Sequence, residues 1–323
     1  SCGKVIYRVD CKLGFAHEGQ YRLVPLSGQL NWYESRIMAG LFFRFAPSPN
    51  GRLHLGHAYS ALFTAQQAKI HNAEFLLRIE DIDQARCKPE FAEQAQTDLR
   101  WLGLNWPQPV RYQSRHMHEY TIIIDRLERL GLLYPCFCTR ARLSNAPGPK
   151  DPDGTTVYPG YCRLMTKMDR NRRMTAGEPF ALRLDMAKAI LAAGPDLSFY
   201  EAGCGPDGET GAVTCTPQAW GDVVLARKDI ATSYHIAVVH DDAIQGITHV
   251  TRGIDLFQAT SIHRVLQSIL ELPVPVYMHH KLIPDETGRK LSKSARDRSL
   301  AALRDEGVTP GMIREQLGFR SEL

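Results

Sequence analysis

The chain has 323 residues, with 39 Lys plus Arg against 35 Asp plus Glu, 44% hydrophobic, 23% charged and 9% aromatic, enough for one large domain or two smaller ones. A net charge of +4 is compatible with a polyanionic partner such as nucleic acid but does not demand one. No run approaches the roughly 18 apolar residues that cross a bilayer, and the opening SCGKVIYRVDCKLG lacks the apolar core and cleavage site of a secretory signal, so a cytoplasmic protein with no membrane partner is expected. Eight cysteines are too few for a disulfide scaffold at this length, and a tight subset among them points to metal.

Residues 1–37 show little periodic pattern and are read as an N-terminal extension. The first strand is Leu41-Phe42-Phe43-Arg44-Phe45, followed by the loop Ala46-Pro47-Ser48-Pro49-Asn50-Gly51, a helix over 55–70 and a second strand over 74–80. Strand, glycine-bearing loop, helix and strand within about forty residues is the rhythm of a βαβ unit, which places both strands in one parallel sheet. The expected fold is α/β with a doubly wound parallel sheet. Helices are expected near 90–102 and 120–132, and the Pro-, Gly- and Asp-rich stretch 145–160 reads as a loop inside an inserted module. Apolar strand patterns at 222–227, 234–239 and 247–250, then a helix over 256–270, are expected to supply the second half of the sheet. The division predicted is 38–115 for the first half of the sheet domain, 116–220 for the inserted module, 221–296 for the second half and 297–323 for a short helical tail.

Three local patterns carry chemistry. His54-Leu55-Gly56-His57 falls where the first helix begins; a helix N-terminus gathers unpaired N–H groups and partial positive charge, and Gly56 lets a flat ring approach the backbone. Alone, a His pair is weak and fits a zinc pair as well. Its place after the first strand and a loop stiffened by Pro47 and Pro49 matches the ligand loop of an open α/β sheet. Lys290-Leu291-Ser292-Lys293-Ser294 sets two ammonium groups among small hydroxyls, suited to charge that spreads onto a departing pyrophosphate. Cys136-Phe137-Cys138, with Cys162 in Tyr158-Pro159-Gly160-Tyr161-Cys162, offers three soft ligands for a tetrahedral zinc and leaves the fourth to come from elsewhere.

In this order and at this separation, the histidine and lysine patterns resemble the signature pair of class I aminoacyl-tRNA synthetases, the HIGH and KMSKS elements. The string from Arg44 to His57 and Leu77-Arg78-Ile79-Glu80-Asp81-Ile82-Asp83 are similar to the glutamyl members, except that Asn50 stands where those commonly carry Thr, a change expected to tune rather than abolish function. The resemblance implies a Rossmann-like catalytic domain with an inserted module of the acceptor-binding type. It carries ATP binding onto His54, Gly56, His57, Lys290 and Lys293, with Mg2+ accompanying ATP. It carries L-glutamate binding onto Arg44, Phe45, Ala46, Pro47, Ser48, Glu80, Tyr234 and Arg252. Arg252 is the first choice for the side-chain carboxylate because a guanidinium offers a bidentate fork; Glu80 would accept from the α-ammonium and Tyr234 would close the pocket. Asp241 and Asp242, placed after a strand ending at His240, resemble the family's paired acids near ATP, or cap the next helix.

For the metal, the truncated glutamyl paralogues place a tyrosine four positions before the last cysteine. That spacing is met by Tyr158 and Cys162, with Tyr161 as the rival. One structural Zn2+ per chain is implied, held by Cys136, Cys138, Cys162 and one of these tyrosines. A full glutamyl synthetase would continue into helical anticodon-binding domains, whereas 29 residues follow Ser294. The resemblance is therefore to the truncated paralogues, expected monomers that activate glutamate without tRNA and transfer it to queuosine of tRNA(Asp). A minimal enzyme charging the 3′ end of tRNA(Glu) and a silent tRNA-binding paralogue are the alternatives, the second disfavoured because each residue needed for activation is present.

Overall fold

The structure, a computed structural model, describes residues 40–283 and 298–319. The readings made for residues 1–37 and for Lys290 and Lys293 lie outside the described residues. From β1 (Phe42–Phe45) the chain passes through the proline loop into α1 (Leu55–Ile70) and returns as β2 (Glu74–Ile79), parallel to β1 with Arg44 beside Leu76. Then follow α2 (Pro89–Trp101), β3 (Arg111–Tyr112), α3 (Met117–Arg129), β4 (Leu133–Cys136), α4 (Arg140–Ser144), α5 (Lys167–Thr175), β5 (Ala181–Leu184) and α6 (Met186–Ala193). The rest comprises β6 (Ser198–Glu201), β7 (Gly211–Thr214), β8 (Val224–Ala226), α7 (Tyr234–Ile244), β9 (His249–Gly253), α8 (Thr260–Ile269), β10 (Val276–His280), α9 (Leu300–Asp305) and α10 (Pro310–Gln316). Short polar side chains start several of these helices: Thr139, Thr166, Asp185, Ser299 and Thr309 each accept a backbone N–H from the first turn.

Among the described residues the strands form a seven-stranded sheet in the order β3-β2-β1-β9-β10-β6-β7, parallel except for the β6–β7 pair, and a three-stranded antiparallel sheet β4-β5-β8. The chain therefore enters the large sheet through β6 and β7, from within the stretch 116–220, while the strand expected at 222–227 joins the small sheet instead. A second correction concerns 234–239, expected as a strand: it is the first half of α7. Ile236, Ala237, Val238 and Val239 are consecutive, apolar and all buried, so this half of the helix shows no 3.6-residue pattern to betray it. The helix expected from 256 begins at Thr260, after a single 3₁₀ turn at Ile254–Leu256.

Strand alternation decides what faces the site. In β1, Phe43 and Phe45 are buried against α1 and α2, so Arg44 points to the other face. The same alternation puts Arg78 and then Glu80 beyond β2, Arg252 on β9, His279 on β10 and Glu201 on β6 on that face, where α7 and α8 lie. The opposite face meets α1: Thr251 Oγ1 lies 2.6 Å from Thr64 Oγ1, and His280 Nε2 lies 3.0 Å from Ser60 Oγ. These side chains cluster at the C-terminal ends of parallel strands, where open α/β sheets bind their ligands.

Candidate active site

A cleft of about 460 Å3 opens there. Every residue assigned from the sequence to ATP or glutamate that falls within the described residues borders it: Arg44, Phe45, Ala46, Pro47, Ser48, His54, Gly56, His57, Glu80, Tyr234 and Arg252. The proline loop is fixed from below, since the carbonyls of Pro47 and Pro49 accept the backbone N–H groups of Glu80 and Lys88 at 3.0 and 3.1 Å. His54 is the N-cap of α1; its Nδ1 accepts from Gly56 N–H at 3.1 Å, while Nδ1 of His57 accepts from His54 N–H at 3.2 Å. The two histidines thus form a reciprocal capping box, a role usually taken by Ser/Thr and Glu/Gln. With Nδ1 accepting on both rings, each neutral imidazole carries its proton on Nε2.

Beneath the cleft lies a buried charge network that the sequence reading did not anticipate. Asp242 accepts from Arg44 Nε at 3.1 Å and from Arg78 at 2.7 Å, and Arg78, with no exposed surface, reaches Glu80 at 3.1 Å. Asp241, on the same buried side of α7, takes Arg111 at 3.0 Å, Gln113 at 2.9 Å and the Tyr120 hydroxyl. Neither acid caps a following helix and neither borders the cleft; both anchor arginines. Burial works against the Asp242 carboxylate, but Arg44 and Arg78 outweigh it and hold its pKa below the ordinary value. For Glu80 burial wins over the same two arginines, and its pKa is raised. Glu119, His240 and Asp241 have the spacing of a metal site, yet Arg111 already stands among the carboxylates, 2.5 Å from Glu119 and 3.0 Å from Asp241.

Arg252 is held differently. Its Nε donates to His279 Nε2 at 3.0 Å, and its terminal nitrogens meet His263 Nδ1 at 3.1 Å and Thr260 Oγ1 at 2.6 Å. Among the described residues no carboxylate lies within ion-pair distance of it. Burial keeps the surrounding imidazoles neutral: His235 and His279 fall to about 4 and His263 falls well below its ordinary value, with Arg252 adding to each depression. A buried guanidinium facing a cleft with only neutral partners is a receptor for an anion. The signal in the sequence was Arg252 itself; His263, His279 and Glu201 lay too far apart in the chain to be grouped.

The cysteine cluster lies apart, in the small sheet and the loop after α4. Cys136, Cys138 and Cys162 are buried with their sulfurs within 4.8 Å of one another. Cys138 and Cys162 Sγ are 3.7 Å apart, and the Tyr158 hydroxyl is 3.5 Å from Cys136 Sγ and 3.7 Å from Cys138 Sγ. A tetrahedral zinc with bonds of about 2.3 Å to sulfur and about 2.0 Å to oxygen has edges of about 3.5–3.8 Å, so this donor set fits the ion. Tyr161 stands outside the cluster, its ring under Arg142 and 6.3 Å from that of Tyr158. Burial pushes the Cys138 thiol up to about 11 and raises Tyr158 as well, whereas at Cys136 burial is outweighed by the hydrogen bonds of Tyr158 and Arg183 and the thiol lies below its ordinary value; a bound cation would favour the ionised form of each.

An open, mostly parallel α/β sheet with a histidine-capped helix and a buried arginine at its C-terminal edge places this cleft where such sheets bind their ligands. Residues 41–321 match the family described as tRNA synthetases class I (E and Q), catalytic domain. The chain belongs to that family and is a ligase of the aminoacyl-tRNA synthetase type. It is 47% identical to the glutamyl-Q tRNA(Asp) synthetase of Rhodobacter capsulatus, over 85% of this chain and 99% of that protein, and 38% identical to the protein of the same name from Symbiobacterium thermophilum, over 87% and 86%. Among solved structures, the glutamate-tRNA synthetase from Elizabethkingia anophelis superimposes with a TM-score of 0.69 at 23% identity, covering 86% of this chain; this chain spans 61% of that one. The class I synthetase α/β fold is thus common to both.

Proposed function

We propose that the chain activates L-glutamate with ATP, without requiring tRNA, and transfers it to queuosine at the wobble position of tRNA(Asp). The observation that carries the reading is Arg252, a buried cation without a carboxylate partner among the described residues, set in one cleft with Glu80 and the histidine-capped end of α1. Arg252 takes the side-chain carboxylate of glutamate, beside an Arg44 steadied by Asp242. Glu80 takes the α-ammonium, Ser48 contacts the substrate backbone and Tyr234 closes the pocket. His54 and His57, with Gly56 between them, hold ATP; Lys290 and Lys293 stabilise the transferring phosphates, the role their resemblance implies.

The α-carboxylate then attacks the α-phosphorus, pyrophosphate departs, and glutamyl-adenylate forms. A queuosine hydroxyl attacks its carbonyl carbon and AMP leaves, so positioning and charge neutralisation do the catalysis and no protein nucleophile is needed. Mg2+ arriving with ATP supplies further positive charge to the phosphates. Cys136, Cys138, Tyr158 and Cys162 would hold zinc, which would tie β4 to the loop carrying Tyr158 and Cys162, a structural role. Support for the acceptor comes from the names of the two relatives. The test is pyrophosphate exchange with glutamate and ATP in the absence of RNA, followed by offering labelled glutamate to tRNA(Asp) with and without queuosine. Exchange without RNA and label only on queuosine-bearing tRNA is expected; label on a 3′ end would make the chain a conventional glutamyl enzyme, and absence of exchange would sink the activation step.

A further inference from the structure

The partners of Arg252 form a directed chain of hydrogen bonds. A guanidinium only donates, so Nε2 of His279 must accept from Arg252, and the imidazole proton sits on Nδ1, 2.5 Å from Oε2 of Glu201. Glu201 has no exposed surface; its other oxygen accepts the backbone N–H groups of His279 at 2.9 Å and Gly203 at 2.8 Å. The same rule fixes His263: Nδ1 accepts from Arg252, so Nε2 donates to Nδ1 of His235 at 3.2 Å. The negative charge that balances Arg252 is thus one imidazole away from it. Of the five N–H donors of a guanidinium, two have no partner among the described residues.

We propose that Glu201 is a positioning residue for substrate carboxylate recognition: through the tautomer of His279 it orients Arg252 while keeping a carboxylate off the guanidinium, so that the two remaining N–H groups meet the substrate. This rests on the reading that the cleft takes glutamate. A direct Glu201–Arg252 pair would satisfy the cation internally and leave the substrate to compete for it; a neutral imidazole passes on orientation without capturing the fork. Sequence alone does not reveal the arrangement, because β6 reaches the sheet from between α6 and β7 and places Glu201 beside Tyr277 of β10.

The informative substitution is Glu201→Gln. Two backbone N–H groups converge on the site of Oε1, so the amide oxygen must occupy it and the NH2 must face Nδ1 of His279. His279 is then driven to the Nε2–H tautomer, which sets donor against donor at Arg252. In pyrophosphate exchange, Glu201→Gln is expected to raise KM for glutamate by about tenfold or more and to leave KM for ATP within about twofold, with Glu201→Asp restoring part of the loss. Unchanged glutamate KM in a folded Glu201→Gln, or both KM values rising together as in a general loosening, would overturn the proposal. Should that variant not fold, 15N NMR of the histidine-labelled wild-type chain decides: protons on Nδ1 of His279 and Nε2 of His263 are expected, and the opposite tautomers overturn it. Wild-type protein that exchanges no pyrophosphate with glutamate would remove the reading of the cleft and this role with it; exchange by the wild type with an indifferent Glu201→Gln removes this role alone.

Discussion

Arg78 and Asp242 stand 164 residues apart in the chain and 2.7 Å apart in space, and between them they join β2 to α7 beneath the cleft. Asp242 serves Arg44 as well, so one carboxylate neutralises two buried guanidinium groups and a second, Glu80, completes the balance on the cleft side.

Asp242→Ala should therefore be costly. Removing one partner of a buried ion cluster leaves uncompensated charge and costs about 3–5 kcal/mol. Urea unfolding should show that loss, with a larger fall than for Asp229→Ala, whose carboxylate pairs at the surface with Arg227. The sign with pH follows from the depressed pKa of Asp242: its contribution is fully present above the unfolded carboxyl value of about 3.9 and is lost as pH falls through the lower folded value. The wild type should thus lose stability in acid more steeply than the variant.

Glu80 behaves in the opposite sense. Burial raises its pKa, so the folded chain holds that proton more readily than the unfolded one; the group subtracts stability in full above its folded pKa, and the penalty fades as pH falls from there to the unfolded value of about 4.3, below which it is gone. A bound ammonium requires the ionised form. KM for glutamate should rise by about tenfold per pH unit once pH falls below the Glu80 pKa, while KM for ATP stays level. Glu80→Gln should bind glutamate weakly at every pH and lose that slope; a slope that persists in the variant would assign it elsewhere.

Arg252→Lys keeps the charge but not the fork: the three donors of an ammonium radiate from one nitrogen, cannot match the three nitrogens that reach His279, His263 and Thr260, and leave no pair over for the substrate. Glutamate KM should rise by about 10–100-fold, the loss of a charge-assisted hydrogen bond. An enzyme indifferent to this change would have its carboxylate receptor in another residue.

For the cysteine cluster, elemental analysis should find one zinc per chain, lost in Cys138→Ser and weakened but retained in Tyr158→Phe, where three thiolates remain. Tyr161→Phe should leave the metal content unchanged, because that ring packs on Arg142 outside the cluster. Equal zinc loss from both tyrosine variants would contradict the distances around the Tyr158 hydroxyl.

Much of the cleft was legible in the chain because its residues sit in short local strings. Arg44 to His57 runs from a strand through a stiff loop into a helix, and the alternation of β1 and the start of α1 place those side chains without help from distant parts. Cys136 and Cys138 are local in the same way. Arg78 carries a local signal of the buried network: it interrupts an otherwise apolar run, Leu76-Leu77-Arg78-Ile79, and a cation there must find a buried carboxylate.

By itself the sequence determined the βαβ opening and the loop and helix start that carry Arg44 to His57, features of spacing within a few turns or strands, while Arg252 was reached through the family resemblance rather than through spacing. Tertiary structure alone decided that residues 234–239 form a helix, since four consecutive buried apolar residues, Ile236 to Val239, carry no periodicity to distinguish helix from strand. It alone brought Asp241, Asp242, His263, His279 and Glu201 to the arginines. Those partnerships span up to 198 residues, and which carboxylate meets which guanidinium is set by the order of strands in the sheet. Burial then fixes the charge of each group: the same two arginines leave Asp242 depressed and Glu80 raised, because desolvation loses to them at one carboxylate and wins at the other.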